Sequence, residues 1–283
     1  MVGAPKVDRR LQWLAATLVG CAWAAAAAEA KEAPLLEVGL GIGAIAFEDY
    51  RGSDTTHAYP LPIPYLVYNG KFLKADREGL RGTLFNQDRV ELNLSGNLTT
   101  PVRNDRARSG MPDLRSTLEL GSSLDFHLLR SADSHLKFDL RMPLRAGITV
   151  EGSPKFIGWT FTPRLALDVA DPFGLSGWNA GLLAGPLFAD HRYHDYFYSV
   201  AQQYATVSRP AYQATGGYAG TQFITAVSKR YPRYWVGAYV RYDTLSGAVF
   251  ADSPLVLRNS YWSAGIGIAW IIHTSAQMVE VPD

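Results

Sequence analysis

The sequence predicts an all-β fold: a single transmembrane antiparallel up-and-down β-barrel of about twelve strands, preceded by a signal peptide. Three observations predict it. Apolar and polar residues alternate along the chain, the alternating segments are long enough to cross a bilayer, and aromatic residues lie near their ends. The 283 residues carry a formal net charge of +1, which gives no electrostatic reason to expect a nucleic-acid partner.

Residues 1–28 have the pattern of a secretory signal peptide. Lys6, Arg9 and Arg10 precede an apolar stretch that runs to position 28 and ends in small residues. Cys21 follows Leu-Val-Gly, which leaves a lipidated N-terminus open, although the apolar stretch continues past it. We expect residues 29–283 to form the barrel domain, with a short periplasmic segment at 29–35 and a C-terminal tail at 272–283.

Long segments of period-two alternation are the main evidence for the strands. Residues 136–151, LKFDLRMPLRAGITVE, put apolar residues on one face and mostly polar or charged residues on the other. A membrane-crossing strand needs about 9–11 residues, whereas strands of soluble sheets average about 5–6. In residues 260–271 the apolar face begins at Trp262 and ends at Trp270, as expected where a strand crosses both interfaces. A soluble β-sandwich also alternates, but with shorter strands.

The connections between the strands also favour a barrel. Those after even-numbered strands are short and those after odd-numbered strands are mostly long, which predicts periplasmic turns and outer loops, with both termini in the periplasm. If residues 71–85 are not divided into two strands, the alternative count is ten. The twelve predicted strands lie at residues 36–47, 60–68, 71–76, 79–85, 89–98, 117–129, 135–150, 159–169, 178–189, 215–228, 234–245 and 260–271.

Six stretches within residues 29–283 carry distinctive motifs. They are DYRGSD (49–54), LPIPYLVYNGKFLKADREGLRGTLF (61–85), ARSGMPDL (107–114), GPLFADHRYHDYFYSV (185–200), YATVSRPAYQATGGYAG (204–220) and DSPLV (252–256). Their order and spacing resemble the MipA/OmpV family of outer-membrane proteins, and the resemblance covers nearly all of residues 29–283. The resemblance implies an outer-membrane barrel of a Gram-negative bacterium without known catalytic residues. It also implies a scaffold that links a murein lytic transglycosylase to a murein synthase, or a surface adhesin.

The segment DHRYHD at residues 190–195 is the densest polar cluster. Two histidines between two aspartates suit a metal or an activated hydroxyl, but the chain contains no G-x-S-x-G nucleophile motif, and polar residues are ordinary after a strand. We expect no enzyme activity, metal or cofactor. An aromatic outer loop follows, which either binds a partner or sugar or packs over the barrel mouth. The candidate loop contacts are Asp190, His191, Tyr193, His194, Tyr204, Arg209 and Tyr212.

Charges of both signs occupy the predicted inner face. A selective pore usually carries charges of one sign, so mixed signs favour an ion-paired, plugged lumen. The candidate lumen charges are Glu91, Glu119, Asp125, Arg141, Arg145, Arg164, Asp168, Arg241 and Asp243.

Three functions remain open at this point. The first is a non-enzymatic scaffold for murein-remodelling enzymes, which rests on the resemblance and conflicts with the small surface that short periplasmic turns offer. The second is a surface receptor or adhesin that uses the long loops, and the third is a small-solute channel. The expected partners are outer-membrane lipid and, for the scaffold, the two murein enzymes.

Overall fold

The computed structural model describes residues 31–69, 73–76, 79–82, 85–87, 89–103, 105–131 and 135–281. The predicted signal peptide and Cys21 lie outside these residues. The described chain contains the helix α1 (His191–Tyr198), two 3₁₀ turns (Pro172–Gly174 and Gln202–Tyr204) and sixteen strands. The strands are β1 (Lys31–Pro34), β2 (Leu36–Glu48), β3 (Thr56–Asn69), β4 (Leu73–Asp76), β5 (Gly79–Gly82), β6 (Phe85–Gln87), β7 (Val90–Thr99), β8 (Thr117–Arg130), β9 (Leu136–Thr149), β10 (Phe156–Phe161), β11 (Arg164–Ala170), β12 (Trp178–Ala189), β13 (Gly217–Arg230), β14 (Tyr234–Thr244), β15 (Ser260–Thr274) and β16 (Met278–Val281).

Strands β2 to β15 form one antiparallel sheet in which neighbours in sequence are neighbours in space. The first and last long strands, β2 and β15, also pair with each other. The described sheet ends at β5 and β6, which are consecutive in the chain on either side of residues 83–84. Counting β5 with β6, and β10 with β11, as single strands gives twelve in the described sheet. The predicted all-β antiparallel fold is confirmed.

The predicted strand at 159–169 is divided in the structure. Strands β10 and β11 both pair with β9 and with β12, but Pro163 lies between them and has no N–H to donate to the ladder. Gly185 of β12 lies against this interruption, where a Cβ would be 2.1 Å from the carbonyl oxygen of Pro163. Glycine therefore allows β12 to approach the interrupted strand closely.

The sheet exposes its apolar face and buries its polar one. On β15, Trp262, Ile266 and Trp270 are 65%, 67% and 47% exposed, whereas Ser263 is 1% exposed. Asp243 on the neighbouring strand is fully buried. A water-soluble sheet shows the reverse arrangement, so the outer surface suits a lipid environment. Among the described residues, no helix is long and apolar enough to cross a membrane.

The two ends of the strands differ. The short connections, near residues 70–72, 131–135, 171–177 and 231–233, lie at the end where β2 begins and β15 finishes. The long connections 49–55, 100–116, 150–155, 190–216 and 245–259 lie at the other end, as the sequence predicts. We call these five long connections, together with α1, the cap.

Beyond the short-connection end, the two terminal segments pair with each other. Strand β1 pairs antiparallel with β16, and the backbone N–H groups of Leu35 and Ser275 donate to Gln277 and Leu36. The predicted N-terminal segment at 29–35 and the predicted tail at 272–283 each contain a short strand, and β15 itself continues to Thr274. We call the β1–β16 pair the terminal ribbon.

Candidate functional site

The cap has its own hydrophobic core above the polar face of the sheet. Each core residue comes from a cap connection or from the strand end next to it, so the long loops pack on one another instead of standing free in solvent. The buried members are Tyr50, Val102, Leu114, Ile157, Phe197, Tyr198, Ala214, Ala219, Leu245, Ala248 and Phe250.

Hydrogen bonds between loops hold the cap together. Tyr50 Oη donates to the carbonyl oxygen of Leu255 at 2.7 Å, and Ser253 Oγ donates to that of Tyr198 at 2.7 Å. Arg108 Nη1 donates to the carbonyl oxygen of Phe197 at 2.9 Å. Because these bonds join distant loops, the cap is one packed unit.

Helix α1 is not among the predicted elements. At residues 190–195 the sequence predicts only a polar cluster that follows a strand. Asp190 is the N-cap, and its carboxylate accepts from the N–H of Tyr193 at 2.9 Å. His194, Phe197 and Tyr198 are buried on one side of the helix. Their i, i+3, i+4 spacing after an aspartate was the sequence signal for this helix, and the interpretation of the aspartates and histidines as surface groups missed it.

His194 is a buried member of this core. Its Nδ1 donates to the carbonyl oxygen of Thr215 at 2.6 Å, and its ring lies edge-on to Phe250 with centroids 4.7 Å apart. Phe250 also stacks on Tyr198 at 3.7 Å. Burial lowers the pKa of His194, so the imidazole is neutral and serves as a packed hydrogen-bond donor.

Tyr193 connects α1 to the sheet. Its hydroxyl donates to Glu119 Oε1 at 2.7 Å, and Thr160 Oγ1 donates to Oε2 of the same carboxylate at 3.2 Å. Arg145 lies 3.8 Å from Glu119 and donates through Nε to Ser95 Oγ at 2.8 Å. Burial raises the pKa of Tyr193 well above its ordinary value, so the phenol keeps the proton that it donates.

A second ion-paired group lies on the opposite side of the polar face. Asp243 accepts from Arg51 Nε at 3.2 Å and lies 2.7 Å from Arg241 Nε. Arg241 also lies 3.9 Å from Glu48 Oε2. The strand alternation predicts Arg241 and Asp243 on this face. It does not predict Arg51 or Glu48, because Arg51 belongs to a loop and Glu48 ends its strand.

The remaining predicted lumen charges lie on the same polar face, and most contact a polar or oppositely charged group. Arg141 lies 3.3 Å from Asp168, Asp125 accepts from Asn93 Nδ2 at 2.9 Å, and Glu91 lies 3.9 Å from His127. Buried charges require such partners. Arg164 lies on the same face, at the position opposite Arg141 in the β9–β11 register. The structure thus brings charges of both signs together on the polar face.

The predicted loop contacts take part in the internal packing of the cap to different degrees. Arg209 donates to the carbonyl oxygens of Ala107 (2.9 Å), Ser109 (2.8 Å) and Tyr204 (2.8 Å), which ties loop 190–216 to loop 100–116. Tyr212 packs against the cap core, and His191 is exposed. Across the part of the chain that the structure describes, no three His, Cys, Asp or Glu side chains are grouped so that they could hold a metal ion.

A cavity of about 1100 Å³ lies between the cap and the sheet. Its wall is the polar face of the sheet, including Asn93 and Asn97 of β7, Arg241 of β14 and Tyr261 of β15, and its roof contains Tyr193. Ser95 also lines the wall and Phe197 the roof. Large cavities lined by few polar groups and by aromatic rings are the usual form of small-molecule sites.

A large antiparallel sheet whose exposed face is apolar and whose buried face carries paired charges defines an integral outer-membrane β-protein. A family model described as "MltA-interacting protein MipA" matches residues 40–272. The match covers most of the chain, and the protein belongs to this family, as the sequence motifs predict. Together with the exposed apolar face, membership places the protein in the outer membrane of a Gram-negative bacterium.

Two individual proteins are also similar. Outer membrane protein OmpV of Vibrio cholerae is 26% identical over 214 residues, which is 72% of this chain and 75% of that protein. A solved structure, the CymD monoaromatic hydrocarbon channel, is 10% identical with a TM-score of 0.27 and covers 87% of this chain and 68% of its own. A structural likeness this weak carries no argument about function.

Proposed function

We propose that the protein is a closed twelve-stranded barrel that acts as a non-enzymatic scaffold for murein-remodelling enzymes. Closure is supported by the segment at residues 79–87: its first part, β5, pairs with β4, and its last part, β6, pairs with β7. Because β5 and β6 follow one another in the chain, they bring the two ends of the described sheet together. A closed barrel leaves no unpaired edge inside the membrane.

The short-connection end faces the periplasm in this proposal, because outer-membrane barrels put short turns there and long loops outside. The terminal ribbon then projects into the periplasm, where the murein enzymes act. This addresses the objection that short turns leave a partner little surface.

The observation that carries the scaffold is the terminal ribbon. In the described strand order, β1 and β16 pair only with each other. A two-stranded sheet is marginal alone, and proteins commonly bind a partner by adding one of its strands to a sheet edge. The family description names an interaction with MltA, and the resemblance implies a lytic transglycosylase and a murein synthase as partners.

Affinity capture from detergent-solubilised envelopes tests the scaffold. We expect the wild-type protein to recover both murein enzymes. Val279→Pro in β16 lowers recovery several-fold, because proline disrupts the ribbon ladder or removes an edge donor. Val207→Pro, in a tight turn of the cap closed by the Arg209 N–H on the Thr206 carbonyl oxygen, is the matched control. Failure of the wild type to recover any murein enzyme contradicts the scaffold.

A surface receptor is the second candidate, and one residue favours it. Val207 is fully exposed at the tip of a loop that Arg209 anchors to its neighbour, so the cap presents an apolar side chain on a rigid base. Deleting residues 190–214 also removes α1 from the cap core and so disturbs the packing of the cap. The single substitution Val207→Ser is therefore the more specific test of the receptor role. Unchanged adhesion of Val207→Ser cells to epithelial monolayers argues against this role for the loop.

We also propose that the protein has no enzyme activity and forms no open channel. Ser199 Oγ accepts from the N–H of Ala214 at 2.9 Å, and His194 is bound to Thr215, so both have structural partners. We expect planar-bilayer recordings of the wild type to show no steady conductance, because the packed cap covers the polar face. Steady single-channel currents support the channel instead. Hydrolysis of an ester or amide that Ala substitution at His191 or His194 abolishes supports an enzyme.

A further inference from the structure

The wall of the cavity beneath the cap differs in chemistry from strand to strand. On the side of β13 to β15 and β2, it is bounded by Arg51, Arg241 and Tyr261, which contact one another and Asp243. On the side of β7, the wall carries the neutral polar groups of Asn93, Ser95 and Asn97. The β7 side is therefore where neutral hydrogen-bonding groups face the cavity.

Two amide oxygens in this wall lack hydrogen-bond partners among the described residues. Asn93 is 2% exposed; its Nδ2 donates to Asp125, while its Oδ1 accepts from nothing. Asn97, on the same face of β7, also has an unpartnered buried Oδ1. Both residues line the cavity. A buried acceptor without a hydrogen-bond partner is energetically unfavourable. An occupant of the cavity that donates a hydrogen bond to each oxygen removes this cost.

The charged residues of the wall are engaged with protein partners. Arg145 lies against Glu119, Arg141 against Asp168, and Arg241 against Glu48. Because these charges are compensated within the protein, the cavity does not select an occupant by net charge. Hydroxyl groups of Ser95 and Thr160 and the amides of Asn93 and Asn97 supply donors and acceptors side by side.

The roof of the cavity is apolar and aromatic. Tyr193 and Phe197 of α1 contribute rings whose centroids are 5.1 Å apart, and Val102 and Leu114 extend the apolar surface. A ring of this kind packs against the C–H face of a sugar, while amides and hydroxyls opposite bind its hydroxyl groups. The volume, about 1100 Å³, is ample for a disaccharide.

From these observations we propose that the cavity under the cap binds a small uncharged saccharide, with Asn93 and Asn97 accepting from its hydroxyl groups and Tyr193 and Phe197 packing on its ring. This site is separate from the terminal ribbon, which lies at the opposite end of the strands. The scaffold proposal can therefore fail without affecting it.

Calorimetric titration of the purified full chain tests the saccharide site, in a detergent without a sugar headgroup. The probes are maltose and N,N′-diacetylchitobiose, with glucose 6-phosphate and lysine as charged comparisons. We expect saturable binding of at least one neutral disaccharide, and weaker or no binding of the charged probes. Asn93→Leu and Asn97→Leu each weaken the binding by about tenfold or more, because each removes an acceptor.

Asn259→Leu is the matched control, since Asn259 is exposed and outside the cavity lining, and it binds as the wild type does. Asn97→Trp, which fills the recess, abolishes binding. Heat-dependent mobility of each variant on an unheated gel reports whether it is folded. The site is refuted if neither disaccharide binds the folded wild type, or if folded Asn93→Leu, Asn97→Leu and Asn97→Trp all bind as tightly as Asn259→Leu.

Discussion

Single side chains join the cap to the sheet, and Tyr193 is the clearest of them. Its hydroxyl donates a hydrogen bond to the carboxylate of Glu119, which is 3% exposed. The same carboxylate also accepts a hydrogen bond from the Thr160 hydroxyl. A hydrogen bond to a buried charged group contributes about 1.5–3 kcal/mol. We expect Tyr193→Phe to lower the free energy of unfolding in lipid by about that amount, measured by urea denaturation. Tyr212→Phe, whose bond to the Val249 carbonyl oxygen is long at 3.4 Å, is the control and changes it little.

His194 makes the stability of the cap depend on pH. Burial lowers its pKa, with Arg51 acting in the same direction and Asp190 and the Thr215 carbonyl opposing it. The unfolded chain protonates this imidazole below about pH 6.5, whereas the folded site does so only at lower pH. The stability that neutral His194 supports is thus present above that pH and is lost as the pH falls through the folded pKa.

We therefore expect the unfolding free energy to fall between pH 7.5 and 5.5, and His194→Asn to reduce this fall. Asparagine keeps a donor for Thr215 but does not titrate in this range. His191→Asn, on the exposed side of the same helix, retains the wild-type pH dependence. An identical fall in His194→Asn and the wild type contradicts the assignment.

The alternation predicts which residues lie on the polar face, but not every partner. Asp125, Arg141 and Asp243 alternate with apolar neighbours, so their common side follows from strand period alone. Arg51 reaches Asp243 across 192 positions of sequence. No local pattern reports such a contact, because it depends on how a loop folds back over the sheet.

At the scale of elements, the strands were predictable because one face of each strand is apolar and the other is polar. Side-chain polarity therefore alternates with a period of two residues along each strand. The predicted strands 178–189 and 234–245 match β12 and β14 to within one residue. Helix α1 and the terminal ribbon were not predicted. The helix is only eight residues long and gains its stability from the cap core, and the ribbon needs two segments more than 200 positions apart.

Arg209 is the element-scale link between two cap loops. We expect Arg209→Ala to raise hydrogen exchange in residues 105–112 and 200–213 together, because three carbonyl oxygens lose a shared donor. Exchange in β8 and β9 stays unchanged. Lys155→Ala, at an exposed position of another cap loop, is the control. Increased exchange in only the 200–213 loop contradicts a link between the two.

Across the whole molecule, apolar side chains lie on the exposed surface and polar side chains are buried, which is the reverse of a soluble protein. Leu40, Leu120 and Leu144 are each about half exposed, whereas Glu119 and Asp168 are buried. Such an outer surface is stable only against an apolar solvent. The cap and the paired charges then stabilise the interior.

Ile266 lies midway between Trp262 and Trp270 on the outer face of β15. We expect Ile266→Lys to cost about 2–4 kcal/mol of folding stability in lipid, as for a charge at the bilayer midplane. Ile272→Lys, beyond Trp270 on the same strand, is the matched control and costs about 0–1 kcal/mol. Equal costs at the two positions argue against a membrane boundary at Trp270.

A single-cysteine scan of β15 tests most directly that the sheet spans the bilayer with its apolar face on lipid. Each position from 262 to 270 receives a fluorophore in a chain whose Cys21 is replaced by alanine, and a lipid-borne quencher is added to proteoliposomes. The structure predicts strong quenching at 262, 264, 266, 268 and 270 and weak quenching at 263, 265, 267 and 269. Quenching without this two-residue period, or quenching by water-soluble reagents equally at all nine positions, contradicts it.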